Sequence, residues 1–126
     1  MYKKSIANFF ITEHNHSLGG ETPSDKPQIE HVLPQTLTEH WETIFTKEQH
    51  NNLVHTAANL VPVTQKLNST LSQKPYSEKR TLIVQNSMYK SARKFVDEFE
   101  DWTPETIEQR ANELAKWSIQ RWKFIV

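Results

Sequence analysis

The sequence predicts an α+β fold that is mostly α-helical, and three observations lead to this prediction. Only two short segments, residues 29–33 and 60–63, combine apolar and β-branched residues in the way that strands do. Almost all of the chain after residue 64 carries apolar residues at helical spacing. The length of 126 residues, 36% of them hydrophobic, is enough for one core. We therefore expect a single domain, 1–126, with two short strands among several helices.

The first part, residues 1–26, is expected to be a helix followed by a loop. Residues 2–12 have their apolar side chains at helical spacing, and Gly19-Gly20 should end the helix. Residues 19–28 hold both glycines of the chain and two of its six prolines, a composition typical of a surface loop.

The second part, residues 27–74, contains both predicted strands. Pro34 should stop the first strand, and Pro62 restricts the second to the edge of a sheet. Residues 37–53 between the strands have a helical pattern, with Trp41 on the apolar side. A further helix is expected over residues 64–71.

The third part, residues 75–126, is predicted to be helical. Two helices are expected over residues 77–85 and 89–99. Thr103 suits an N-cap and Pro104 the first position of the last helix. Its apolar face is predicted to consist of Ile107, Ala111, Leu114, Ser118, Trp122 and Ile125.

The charges of the chain cancel overall but are unevenly distributed. Fifteen basic residues balance fifteen acidic ones, which excludes a uniformly basic protein. Residues 65–95, however, hold seven basic residues and one acidic residue. This basic segment suits a polyanion that touches part of the surface, although a solvated helix face explains it equally well.

Composition also limits the classes of site and the location. Cysteine is absent, which excludes disulfide scaffolds, thiol nucleophiles and zinc sites built on cysteine pairs. The sequence shows neither a membrane-spanning run of apolar residues nor a signal peptide, so we expect a cytoplasmic protein that does not contact membranes.

Four polar residues stand out because they lie beside apolar positions. Glu30-His31 falls within the first predicted strand, Asn59 precedes the second, and Asn68 follows nine residues later. A carboxylate and an amide oxygen are ligands that Mg²⁺ prefers, and a neutral histidine can take a proton from water near pH 7. A buried structural histidine is the alternative reading of His31. The other five histidines have unremarkable polar settings.

These residues resemble a known family of nucleases. The segments IEHVLPQ and AANLVPV, Asn68, and Tyr76 followed by Lys79-Arg80 are similar to the HNH class, also called His-Me finger or ββα-metal nucleases. The likeness is greatest to the C-terminal nuclease domain of GmrSD-type, modification-dependent restriction enzymes. Ala58 stands where that group has glycine, and Glu30 where the wider class has aspartate.

The resemblance implies a fold, a reaction and partners. It implies a core of two antiparallel strands and a helix in residues 27–74, and a metal-dependent DNA endonuclease that acts in bacterial restriction and phage defence. It also implies a preceding ParB/Srx-like NTPase domain in a longer protein. His31 would be the general base, Asn59 would orient it, and Glu30 and Asn68 would hold one Mg²⁺ or Mn²⁺ ion. The expected DNA contacts are Lys66, Lys74, Lys79 and Arg80.

Two other functions are compatible with the sequence. One is a catalytically inactive nuclease fold that binds DNA, and the other is a helical protein-interaction domain. Retention of all four polar residues argues against the first. The second leaves polar residues at buried positions unexplained.

Overall fold

The computed structural model describes residues 4–19 and 27–122. Two strands form the one sheet in this part of the chain, β1 over Gln28–His31 and β2 over Leu60–Val63. They run antiparallel, with Gln28 opposite Val63 and His31 opposite Leu60. Each strand of a two-stranded sheet is an edge strand, so the position of Pro62 is the one expected. The first strand is shorter than predicted, because Val32 and Leu33 belong to the turn that follows it.

Helices surround this small sheet and confirm the predicted α+β class. Seven α-helices and one 3₁₀ turn lie within the described ranges. The 3₁₀ turn covers Ala57–Asn59, directly before β2. The helices are α1 (Lys4–Ser17), α2 (Glu39–Glu42), α3 (Lys47–Leu53), α4 (Gln65–Leu71), α5 (Tyr76–Asn86), α6 (Lys90–Glu98) and α7 (Pro104–Trp122).

The first helix ends just before Gly19-Gly20, as the sequence predicted. It continues beyond residue 12 to Ser17, and Gly19 adopts a left-handed φ of 78° just after it. Asn15, near the end of this helix, is buried, and its Oδ1 accepts a hydrogen bond of 3.0 Å from the Ser91 backbone N–H. Gly20 and the rest of the predicted loop, residues 20–26, lie outside the described residues.

The prediction of one helix over residues 37–53 was wrong. The segment forms the two helices α2 and α3, because Thr46 starts a new helix with a capping box. Its hydroxyl accepts a hydrogen bond from the Gln49 N–H, and the Gln49 side chain accepts one from the Thr46 N–H. Trp41 of α2 and Phe45 of the link between the two helices both pack in the core.

The last helix begins where it was predicted, and Ile107 and Leu114 of its predicted face are buried, but the prediction for Ala111 was wrong. Thr103 accepts a hydrogen bond of 3.3 Å from the Thr106 N–H, and Pro104 is the first helical residue. Ala111 is exposed, whereas Arg110 is buried together with Ile107 and Leu114. A buried arginine is possible here because its guanidinium binds backbone carbonyls, as described below. The predicted contribution of Ile125 lies outside the described residues.

The main core packs β2 against the helices, and a smaller cluster of Ile11, Ile29 and Leu60 packs α1 on the sheet. The largest fully buried side chains include Trp41 and Phe45 from one part of the chain and Trp102 and Ile107 from another. The part of the chain that the structure describes contains no helix long and apolar enough to cross a bilayer.

Candidate active site

The candidate site lies where β1, β2 and α4 meet. Glu30 and His31 are the last two residues of β1, and Asn68 lies in the middle of α4, which packs against β1. These three side chains line one cavity of about 240 Å³. Neighbouring residues of a strand point to opposite sides, and both reach this cavity because the chain leaves the sheet directly after His31. The structure therefore brings together the carboxylate, imidazole and amide that the sequence singled out.

The helix that carries Asn68 ends in an unusual conformation at the rim of the cavity. Ser72, which follows α4, has a φ of 45°. Residues other than glycine rarely adopt positive φ, and such a position costs of order 1–3 kcal/mol. The backbone at this edge of the site is therefore held in place by its surroundings.

Burial controls the charge of Glu30. The residue is 4% exposed, and its Oε2 atom lies 3.3 Å from the Nζ atom of Lys79. Oε2 accepts no hydrogen bond of good geometry from the described residues. Burial raises the pKa of the Glu30 carboxyl to about 7, and the attraction of Lys79 offsets only part of that effect. Burial likewise lowers the pKa of Lys79.

His31 has the protonation state that a base requires. Burial, followed by the nearby charges of His55 and Lys79, lowers its pKa to about 4. The imidazole is therefore neutral at pH 7, with a lone pair on one ring nitrogen. Its Nε2 atom lies 3.1 Å from the Nδ1 atom of His55.

Asn59 fixes the backbone around the base. The residue is fully buried, and its Oδ1 accepts hydrogen bonds from the Leu33 N–H at 2.7 Å and the Trp102 indole N–H at 2.9 Å. Its Nδ2 donates to the Leu33 carbonyl at 3.0 Å and the Val54 carbonyl at 2.9 Å. The turn after His31 is thus tied to the segment before β2.

Two of the four expected DNA contacts are placed differently from the expectation. Lys79 is fully buried, and its Nζ donates to the carbonyls of His31 at 3.1 Å and Val32 at 3.0 Å. Its ammonium group faces the interior, so its position does not fit a role in DNA binding. Arg80 is half-buried, and its Nε donates to the Val96 carbonyl at 2.7 Å.

The other two expected DNA contacts have side chains that reach the solvent. Lys66 is exposed on α4, two residues before Asn68, and lines a cavity other than the one that Asn68 lines. Lys74 is half-buried in the following loop, and its charge is close enough to lower the pKa of Lys79. Both therefore remain available to hold a phosphate backbone.

Two histidines for which the sequence predicted no role contact residues of the candidate site. His50 is buried, and its Nε2–H donates to the Pro34 carbonyl at 2.8 Å. His55 is exposed and contacts the ring of His31. Both lie among polar residues in the sequence, so no pattern distinguished them from surface histidines.

The residues of the cavity fit a hard divalent cation. The Glu30 carboxylate and the Asn68 amide both offer oxygen ligands, the kind that Mg²⁺ and Mn²⁺ prefer, and both residues line the cavity. No group of three His, Asp or Glu residues with the geometry of a metal site occurs in the described ranges. A site with two protein ligands suits Mg²⁺, which keeps several of its waters.

Comparison with known proteins adds one finding to this geometry. The family model for the C-terminal domain of GmrSD restriction endonucleases matches residues 2–117. No curated protein and no solved structure matches the chain.

Proposed function

The chain belongs to the C-terminal domain family of GmrSD restriction endonucleases, and we propose from this membership and the site that it is a metal-dependent HNH endonuclease of DNA. The observation that carries the proposal is the shared cavity of Glu30, His31 and Asn68 beside a two-stranded sheet. Restriction of phage DNA in bacteria is the proposed setting. Target selection, in this proposal, belongs to the ParB/Srx-like NTPase domain that the resemblance places before the nuclease domain.

His31 performs the proton transfer in this proposal. Its neutral imidazole accepts a proton from a water molecule, which then attacks the phosphorus of the scissile bond. Asn59 holds the turn that fixes the direction of the ring. The reaction needs no covalent intermediate, because the water is the nucleophile.

Glu30 and Asn68 would hold a single Mg²⁺ or Mn²⁺ ion at this site. When bound, such an ion stabilises the negative charge that develops on the phosphate and the leaving oxygen. Lys66 and Lys74 would bind the DNA backbone, which positions the duplex without reading its sequence.

Plasmid nicking tests this function. Wild-type protein, His31→Ala and Asn68→Ala would be compared in buffers with Mg²⁺, with Mn²⁺ and with EDTA. We expect nicking only with a divalent ion, and a rate about 10²–10⁴-fold lower for His31→Ala, the usual contribution of a general base. His40→Ala is the matched control, because His40 is an exposed histidine on α2.

Three results would contradict the proposal in different ways. Equal nicking by His31→Ala and wild type would remove His31 from the mechanism. Nicking that persists in EDTA would remove the metal. DNA binding by the wild type without cleavage under either ion would favour the inactive DNA-binding module instead.

A further inference from the structure

His31 and His55 form a pair of contacting imidazoles that the proposed mechanism does not use. The Nε2 atom of His31 lies 3.1 Å from the Nδ1 atom of His55. The two rings are perpendicular, at 88°, with their centroids 5.1 Å apart. His31 is 7% exposed, whereas His55 is exposed to solvent. The pair therefore connects the buried end of β1 to the surface.

The backbone on both sides of this pair is fixed by one residue. His55 directly follows Val54, whose carbonyl accepts a hydrogen bond of 2.9 Å from the Asn59 side chain. The same Asn59 amide group donates to the Leu33 carbonyl, two residues after His31. In addition, Thr56 donates its hydroxyl hydrogen to the Leu53 carbonyl at 2.8 Å, which tightens the turn that carries His55. The two rings thus meet because the fold holds both of their chain segments in place.

The contact between two nitrogens requires one to donate a hydrogen and the other to accept it. A neutral imidazole carries hydrogen on one nitrogen and a lone pair on the other. When Nε2 of His31 donates to Nδ1 of His55, the lone pair of His31 is confined to its Nδ1 atom. The hydrogen bond made by one ring nitrogen is the general means by which proteins select the tautomer of a histidine.

We propose that His55 is a positioning residue that holds His31 in the Nε2–H tautomer and so directs the Nδ1 lone pair at the water. The catalytic part of this inference rests on the proposed nuclease function. The part that concerns the tautomer rests on two points: the 3.1 Å contact requires one hydrogen between Nε2 of His31 and Nδ1 of His55, and a base needs its lone pair on the other nitrogen of His31. His55 itself is exposed and does not need to touch the DNA or the reacting atoms for this role.

The tautomer can be measured without any cleavage. Protein labelled with ¹⁵N at its histidines would be studied by two-bond ¹H–¹⁵N correlation spectra, which distinguish the two neutral tautomers. We expect the wild type to hold His31 in one form, with hydrogen on Nε2. In His55→Ala we expect signals of both forms, while His40→Ala keeps the wild-type pattern. A His31 spectrum that is unchanged in His55→Ala would overturn the inference.

Cleavage kinetics test the consequence for catalysis. His55→Ala should lower kcat about tenfold or more, the effect typical of losing an orienting partner, with KM for DNA changed less than twofold. His55→Asn should recover part of the rate, because its side-chain amide places a hydrogen-bonding atom where Nδ1 was. Equal rates of His55→Asn and His55→Ala, or a change confined to KM, would contradict the role.

The two proposals can fail separately. A wild type that never cuts DNA but loses its single His31 tautomer in His55→Ala would refute the nuclease function and retain the positioning of His31. A wild type that cuts DNA as fast as His55→Ala, with the same tautomer in both, would refute the positioning and retain the nuclease.

Discussion

Lys79 binds the end of β1 with three contacts. Its ammonium group donates to the carbonyls of His31 and Val32 and lies 3.3 Å from the Glu30 carboxylate. The residue comes from α5, so it links that helix to the strand that carries the base and the proposed metal ligand. Removal of one partner of a buried ion pair is costly because the other is left as an isolated charge or must change its protonation.

Lys79→Met is therefore expected to destabilise the protein by about 3–5 kcal/mol, although methionine fills a similar volume. Equilibrium unfolding in urea at pH 7.5 measures this loss. Lys66→Met, at an exposed position, is the control and should change the free energy of unfolding by no more than about 0.5 kcal/mol.

The double variant Glu30→Gln/Lys79→Met separates the effect of the ion pair on stability from the effect of side-chain packing. Since it removes both charges, it should be more stable than Lys79→Met alone. If the double variant loses as much free energy of unfolding as Glu30→Gln and Lys79→Met lose together, the two residues are not coupled. The interpretation of them as an ion pair would then be wrong.

The sequence was sufficient to identify the polar residues of the site but not all of their neighbours. Glu30, His31, Asn59 and Asn68 could be identified because each lies next to apolar residues. The contact between His31 and His55 depends on how the segment before β2 folds back on β1, which no local pattern encodes. For the same reason a lysine in a basic segment was expected at the surface and is found in the core.

At the scale of helices, α7 packs against the 3₁₀ turn that carries Asn59. The guanidinium of Arg110 donates to the carbonyls of Ala58 at 2.8 Å and Leu60 at 2.9 Å, on both sides of Asn59. It also lies 4.7 Å from the centroid of the Phe95 ring. Burial lowers the pKa of Arg110 to about 10, so it keeps its charge at neutral pH. One side chain of α7 thereby holds the 3₁₀ turn and the start of β2.

Arg110→Met should destabilise the protein by about 2 kcal/mol or more, because two buried carbonyls lose a charged donor. Thermal or urea unfolding measures the change, and Lys116→Met on the exposed side of α7 serves as the control. Arg110→Lys should recover only part of the loss, since the lysine side chain is shorter and lacks the planar guanidinium that lies over the Phe95 ring. Full stability in Arg110→Met would show that the two carbonyls are satisfied in another way.

The order of helices and strands was largely predictable, whereas two details required the three-dimensional structure. The pattern of residues 37–53 is helical on both sides of Thr46, and the break comes from a cap that competes with helix continuation. In α7 the spacing favoured Ala111, but Arg110 lies on the inner face because the backbone before β2 offers it two acceptors. In both segments, a polar side chain that hydrogen-bonds to the backbone causes the difference from the structure that the apolar pattern predicts.

The whole molecule is neutral, so its proposed affinity for DNA depends on a local surface. Four phosphate contacts would have given a slope of log affinity against log salt of about −3 to −4. With Lys79 in the core and Arg80 already bound to a carbonyl, Lys66 and Lys74 are the two contacts best placed, and we now expect a slope of about −2.

Fluorescence anisotropy of a labelled duplex in EDTA, over a range of KCl concentrations, measures this slope. Lys66→Met should make it less negative by about one, whereas Lys116→Met should leave it unchanged. A slope near zero for the wild type would count against DNA as the ligand.

The contacts between α7 and the 3₁₀ turn affect the stage of translation at which the fold around Asn59 is completed. Trp102 and Arg110 are synthesised 43 and 52 residues after their respective partners Asn59 and Ala58. A nascent chain that still has these residues inside the ribosome carries every proposed catalytic group but not the contacts that fix Asn59 and β2. Nuclease activity should therefore arise late in translation, and fragments released early should leave the DNA of the host intact.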